Sequence, residues 1–225
     1  LEAAGTYLKG IEHYTYWVMP GHSVVAAPWY GMFGPGLVST RMLSVMAGLA
    51  ALLCWISVIH KLTGDRSIAL VALLLMAIDS NVLILASTGL ADMLSAAFGA
   101  AALAAYLSLR ENHLHWALFC GHACAVASGL TNPIGGLVAV PSLILLQLSY
   151  DRHRLRWRQM VPIALAYLIG GAAWSAYILR SPELFWTQFS GNSAGRLWPL
   201  KSPLLALRRE ITDRLLPAYG MLPDA

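Results

Sequence analysis

Ser87-Thr-Gly-Leu-Ala-Asp92-Met-Leu-Ser-Ala-Ala-Phe-Gly-Ala-Ala-Ala-Leu-Ala-Ala-Tyr106-Leu-Ser-Leu-Arg110 is the stretch that decides the fold. No charged residue stands between Asp92 and Arg110, a run about as long as a bilayer-spanning helix needs. Its interior is mostly alanine with Gly99, and small side chains let helices approach closely inside a membrane. The run therefore predicts a helix at the centre of a bundle rather than one facing lipid. Asp92 falls in the first turn, where backbone N–H groups and the helix dipole favour an anion. A carboxylate there is either a helix cap or part of an active site.

The rest of the chain has the same character. Its 225 residues are 58% hydrophobic and 12% charged, with a mean hydropathy of +0.61. Soluble domains carry about a quarter charged residues, and here the charges gather in short clusters between long apolar runs. The expected fold is all-α, a polytopic transmembrane helical bundle. The chain opens with Leu1, shows no basic leader, and ends without a final span, so a fragment lacking at least one N-terminal helix is expected. Cys54, Cys120 and Cys124 all lie in apolar runs and are expected to be free buried thiols.

Six spans are expected: Met42 to Ile59, Ser67 to Leu85, Met93 to Leu109, Trp116 to Leu130, Ile134 to Ser149 and Val161 to Leu179. Asp79-Ser80-Asn81 interrupts the second in its last third, and Thr131-Asn132-Pro133 is a sharp break before the fifth. Residues 1–41 read as an outer loop with interfacial helices, broken by prolines and rich in Tyr and Trp. Residues 42–179 form the bundle, and 180–225 an outer amphipathic segment. In that segment Ser202-Pro203 reads as a helix start, with Leu204, Leu207, Ile211 and Leu215 on one face.

The turns at 60–66, 110–115 and 150–158 hold Lys61, Arg66, Arg110, Arg152, Arg154, Arg156 and Arg158, whereas 80–92 and 131–133 hold no Lys or Arg. By the positive-inside rule the first set is cytoplasmic, which implies a multi-pass protein of the cytoplasmic (inner) membrane. The basic pI near 9.1 then reflects topology, with an anionic-lipid contact at the four-arginine loop, and no nucleic-acid partner is expected.

Gly10-Ile-Glu12-His13-Tyr14-Thr-Tyr16-Trp-Val-Met-Pro20 is followed by Pro28-Trp-Tyr-Gly-Met-Phe-Gly34, and then by Arg41-Met-Leu-Ser44 entering a span. With Asp92 before an Ala-rich span and Leu130-Thr-Asn-Pro-Ile-Gly-Gly136 before another, this order resembles the integral-membrane glycosyltransferases of the GT-C type. It is most similar to the branch with protein O-mannosyltransferases and lipid A aminoarabinose transferases, over most of residues 10–190. The resemblance implies transfer of a sugar from a polyprenyl-phosphate donor to a protein or glycolipid acceptor at the outer membrane face. A divalent metal is a possible cofactor of that chemistry.

Relatives carry an acidic residue, often Asp-Glu, soon after their first span, and the resemblance places that pair upstream of Leu1. They often have Lys-Pro-Pro or His-Pro-Pro where this chain has Met19-Pro20-Gly21-His22, and a basic residue where it has Asn132.

Attack on an anomeric carbon needs a base, and the departing phosphate needs cationic groups or a metal. Asp92 is the candidate catalytic residue, as a metal ligand or an orienting group for a cation. Glu12, His13, His22, Arg41 and Asn132 are candidate substrate-binding residues. Each has a plainer reading: a cap for Asp92, solvated loop for Glu12, His13 and His22, and a lipid-phosphate anchor for Arg41. Asp79 is either an intramembrane ionisable group or a helix end.

His113, His115, Cys120, His122 and Cys124 include soft metal ligands but do not share one face, and core packing is expected. Gly191-Asn-Ser193-Ala-Gly195 has the form of a hydrolase elbow, without the strand that such an elbow requires. A secondary transporter or flippase-like carrier is the alternative function. It predicts polar groups near the bilayer midplane and broken helices there. A non-catalytic membrane subunit is a third.

Overall fold

The computed structural model describes residues 13, 15–16, 19–89, 91–196 and 202–216. Among these the chain is helical, with no strand. The helices are α1 (Pro20–Phe33), α2 (Leu37–Thr63), α3 (Arg66–Ile78), α4 (Ser80–Thr88), α5 (Ala91–Leu109), α6 (Leu114–Thr131) and α7 (Pro133–Asp151). A short 3₁₀ turn, Trp157–Gln159, leads into α8 (Met160–Ile178), followed by α9 (Pro182–Arg196) and α10 (Pro203–Arg209). Two compact units divide the chain: residues 18–177, and a smaller one combining 1–17 with 178–225.

The larger unit is built around α5. Of the four helices long and apolar enough to cross a membrane, α5 is the most buried against protein and α8 the least. Alanine and glycine allow this. Buried Ala97, Ala100 and Ala102 bring α5 against α2, α6 and α7 at once, and van der Waals contact replaces the hydrophobic force that lipid cannot supply between helices. The core runs through Leu103, Tyr106, Leu107, Leu118 and Leu143. Outward faces stay apolar: Leu74, Leu75, Leu137, Leu145 and Leu168 are all more than 60% exposed, as lipid-facing side chains are.

The expected helical membrane bundle is present, and its span count is close to the six anticipated: among the described residues four helices are long and apolar enough to cross a membrane, or five if α3 and α4 count as one. The expected fourth span is present as α6, but its His115, His122, Ser128 and Thr131 leave it outside that set. It packs extensively on α5 and α7, so its polar residues meet protein rather than lipid. The second span is not a single rod. Its two halves, α3 and α4, are bent by 61°.

Asp79 causes the bend. Its backbone is extended (φ −64°, ψ 126°), and its carboxylate accepts from the N–H groups of Asn81 (2.9 Å) and Val82 (3.2 Å). It therefore ends α3 and caps α4, as the helix-end reading of this residue expects. At the far end of α4, Gly89 takes φ 75°, and an added Cβ would stand 2.8 Å from Thr40 Cγ2. Only glycine suits both demands.

α2 begins at Leu37, five residues before the expected span start, tied back to α1 by Trp29 Nε1 donating to Ser39 O (2.9 Å) and by a Tyr30–Thr40 hydroxyl bond (2.8 Å). In the smaller unit, Tyr16 N–H donates to Gln188 Oε1 (2.7 Å) and the Tyr16 ring meets Phe185 edge-on. Gly191 to Gly195 lies within α9, a helix and not a strand-to-helix elbow. After α10 the chain continues as a π-helix, Glu210–Leu215. Leu204, Leu207 and Ile211 are exposed, and the side chain of Leu215 lies outside the described residues.

Candidate functional site

Asn132-Pro133 is the local signal that builds the site. Proline fits the first helical position, and the asparagine before it caps the helix. Asn132 Oδ1 accepts from Ile134 N–H (3.0 Å), which fixes the side chain and aims its amide at α5. There Nδ2 donates to Asp92 Oδ1 at 2.5 Å. Both residues are half-buried. Asp92 therefore sits in the first turn of α5, where the dipole favours it, and its described side-chain partner belongs to another helix.

Just below, α5 and α6 clasp each other through serines. Ser95 Oγ donates to Ser128 O (2.9 Å), Ser128 Oγ donates to Ser95 O (2.8 Å), and the two hydroxyls are 3.0 Å apart. A cavity of about 350 Å³ starts at this polar corner. One wall is the α5 face of Asp92, Ser95, Ala96, Gly99, Ala100 and Leu103; the other is Ile134, Gly135, Val138, Ala139 and Ser142 of α7, with Trp55 of α2 closing it. Asp92 to Leu103 spans roughly 17 Å at 1.5 Å per residue. The result is a groove with a polar head and a long, small-residue, mostly apolar body.

The other expected residues divide. His22 follows Gly21, whose position is pressed against Leu130 O and Thr131 Oγ1, each under 3 Å from an added Cβ. His22 therefore lies beside the segment leading into Asn132. Burial lowers its pKa, which disfavours the charged imidazolium form. Arg41 is exposed and lines a separate shallow groove with Val38, Met42, Val45 and Met46. It is not part of the Asp92 cavity wall. His13 is exposed and belongs to the smaller unit, and Glu12 lies outside the described residues.

Among the described residues no group of three or more His, Cys, Asp or Glu side chains converges as a metal site. Asp92 supplies one carboxylate. Mg²⁺ is commonly held by one or two carboxylates together with substrate phosphates rather than by an all-protein cage, so this donor set suits a metal arriving with a phosphate.

Two polar clusters were not legible as such. Midway along α6, buried His122 bridges two helices: Gln147 Nε2 donates to its Nε2 (3.0 Å), and its Nδ1 lies 3.0 Å from Tyr167 OH. At the basic end, buried Asp151 accepts from Tyr106 OH (2.6 Å), Arg110 Nε (2.8 Å) and Arg154 Nη1 (3.0 Å). The contribution of Ser95 and Ser128 had a usable signal, since each lies three or four residues from Asp92 or Asn132 on one helix face. Neither a protein-family model, nor a curated protein, nor a solved structure matches this chain.

Proposed function

We propose that this chain is a membrane glycosyltransferase of the GT-C type, moving a sugar from a polyprenyl-phosphate donor to a protein or glycolipid acceptor. The observation that carries this reading is the shape of the groove. A polar corner of Asp92 and Asn132 heads a mostly apolar groove, which suits a lipid-linked substrate with a polar head and an isoprenoid body. The reaction joins an acceptor oxygen to the anomeric carbon, breaks the bond from that carbon to the phosphate oxygen, and releases the acceptor proton to a base. Asp92, oriented by Asn132, is the residue that would hold a divalent cation. A divalent ion bound there would neutralise charge on the leaving group. His22 contributes a hydrogen bond to the head group. In this reading the polar corner faces the extracytoplasmic side of the inner membrane, opposite the arginine-rich turns.

The test is transfer from polyprenyl-phosphate mannose or aminoarabinose by the full protein in liposomes. Asp92→Asn should lower turnover at least 100-fold, the scale expected for losing one electrostatic partner of a reacting group, with its melting temperature unchanged. Turnover within threefold of wild type would reduce Asp92 to a structural residue.

A carrier is the second reading, favoured by the 61° break between α3 and α4 and by the His122–Gln147–Tyr167 network. Those are the broken helix and intramembrane polar group that carriers use. His122→Gln separates the two. Under the glycosyltransferase reading it leaves transfer within twofold of wild type and lowers stability by about 1–2 kcal/mol, since Tyr167 and Gln147 lose a buried partner. Loss of substrate flux into sealed liposomes, with no sugar transfer in the wild type, would favour the carrier.

A further inference from the structure

Near the opposite end of α5 from Asp92 lies a second cavity, of about 420 Å³, lined by Asn112, His115, His153, Arg154, Arg156 and Gln159 over the apolar floor of Leu114. Nothing in the Asp92 reading uses it. No carboxylate is among its lining residues, and several of its groups are held as donors. Arg154 Nη1 is fixed by Asp151 Oδ1 and Arg110 O, both at 3.0 Å. Gln159 Oε1 is taken by Arg156 N–H (3.0 Å), leaving its amide N–H groups to donate. His153 Nε2 accepts from Arg152 Nε (2.9 Å), which holds the ring in place beside the corner. Between Arg110 and Arg158 the chain has five arginines and two acids. One of those acids, Asp151, is already shared by Arg110 and Arg154, so the corner keeps an excess of positive charge.

Its depth identifies the anion. His153 also borders a neighbouring groove with Leu145, Leu148, Tyr150 and Arg152. Leu145 and Leu148 are 64% and 52% exposed, and Trp116 and Trp157, at 62% and 74%, stand at the same end of the bundle. Exposed tryptophans mark the level of lipid headgroups. The cations are therefore at headgroup depth, with apolar side chains running away from them into the bilayer.

We propose that this corner is a binding seat for the phosphate of an anionic phospholipid, whose acyl chain lies along Leu145 and Leu148. The bound lipid ties the α5–α6 turn to the 150–159 loop, so the site holds the basic end of the bundle together. The proposal does not depend on what Asp92 does.

The test uses the full chain, delipidated in mild detergent, with retained lipid read by native mass spectrometry. Phosphatidylglycerol, phosphatidylcholine and inorganic phosphate are the probes. Wild type should retain phosphatidylglycerol at least fivefold over phosphatidylcholine. Arg156→Gln, which touches no Asp151 contact, should reduce that preference several-fold, about what one surface cation contributes. Arg156→Lys should restore most of it, and Arg66→Gln, a cation on another turn, should leave it unchanged. Equal retention of the two lipids, or an unchanged preference in Arg156→Gln, would overturn the proposal. So would displacement of phosphatidylglycerol by millimolar inorganic phosphate, which would assign the corner to a free anion.

Discussion

Asp151→Ala should lower the stability of the protein by about 3 kcal/mol, at the low end of the range for breaking a buried ion pair. Asp151 is 1% exposed and is the acceptor for three donors from two segments: Tyr106 on α5 with Arg110 just after it, and Arg154 beyond α7. Removing the carboxylate leaves a phenol and two guanidiniums without their shared partner. Arg154, with 45% of its side chain exposed, can turn to water, but Arg110, at 17%, cannot do so without moving the turn. Its hydrogen bond to Asp151 raises the Arg110 pKa further, so its charge is present at every working pH. Tyr106→Phe deletes one donor and spares both ion pairs, and should cost about 1.5 kcal/mol, as hydrogen bonds to charged groups do. Thermal unfolding in mild detergent measures both. An Asp151→Ala loss below 1 kcal/mol would place the cluster with ordinary surface pairs.

Asp151 also shows where sequence reading stops. In Tyr150-Asp-Arg-His-Arg-Leu-Arg-Trp-Arg158 it looks like one solvated charge in a basic loop, because local spacing pairs it only with neighbouring arginines. Its other partners, Tyr106 and Arg110, are 45 and 41 residues away, and no periodicity links them. His122 escaped for the same reason: in an apolar run it reads as core, and its partners Gln147 and Tyr167 come from two later helices.

Features with a local cause were legible. Asn132-Pro133 announces a helix start, Asp79-Ser-Asn a break, and the alanine run a helix buried on several sides; the structure has each of them. The fourth expected span is present as α6, and its His and Ser side chains are accommodated by packing against α5 and α7.

The Asp92–Asn132 contact joins α5 to the start of α7, so its geometry depends on how closely those helices and α6 approach. Three glycines set that distance. A Cβ on Gly135 would stand 2.0 Å from Ser95 Oγ and 2.8 Å from Ser128 Oγ, within the serine clasp. A Cβ on Gly136 would stand 2.6 Å from the Cα of Gly129. That second contact is backbone against backbone, with no side chain able to rotate away.

Gly136→Ala should therefore force α6 and α7 apart and cost about 2–3 kcal/mol, the upper range for overpacking a close interface. Gly136→Leu should prevent assembly of a monodisperse protein. Gly171→Ala on α8 is the matched control, since nothing lies within 4 Å of its added methyl; it should not destabilise, because alanine is the better helix former. If Gly136→Ala melts with Gly171→Ala, the helices do not meet this closely and the serine clasp loses its basis. If it melts early, turnover should fall with it, because displacing the start of α7 carries Asn132 away from Asp92.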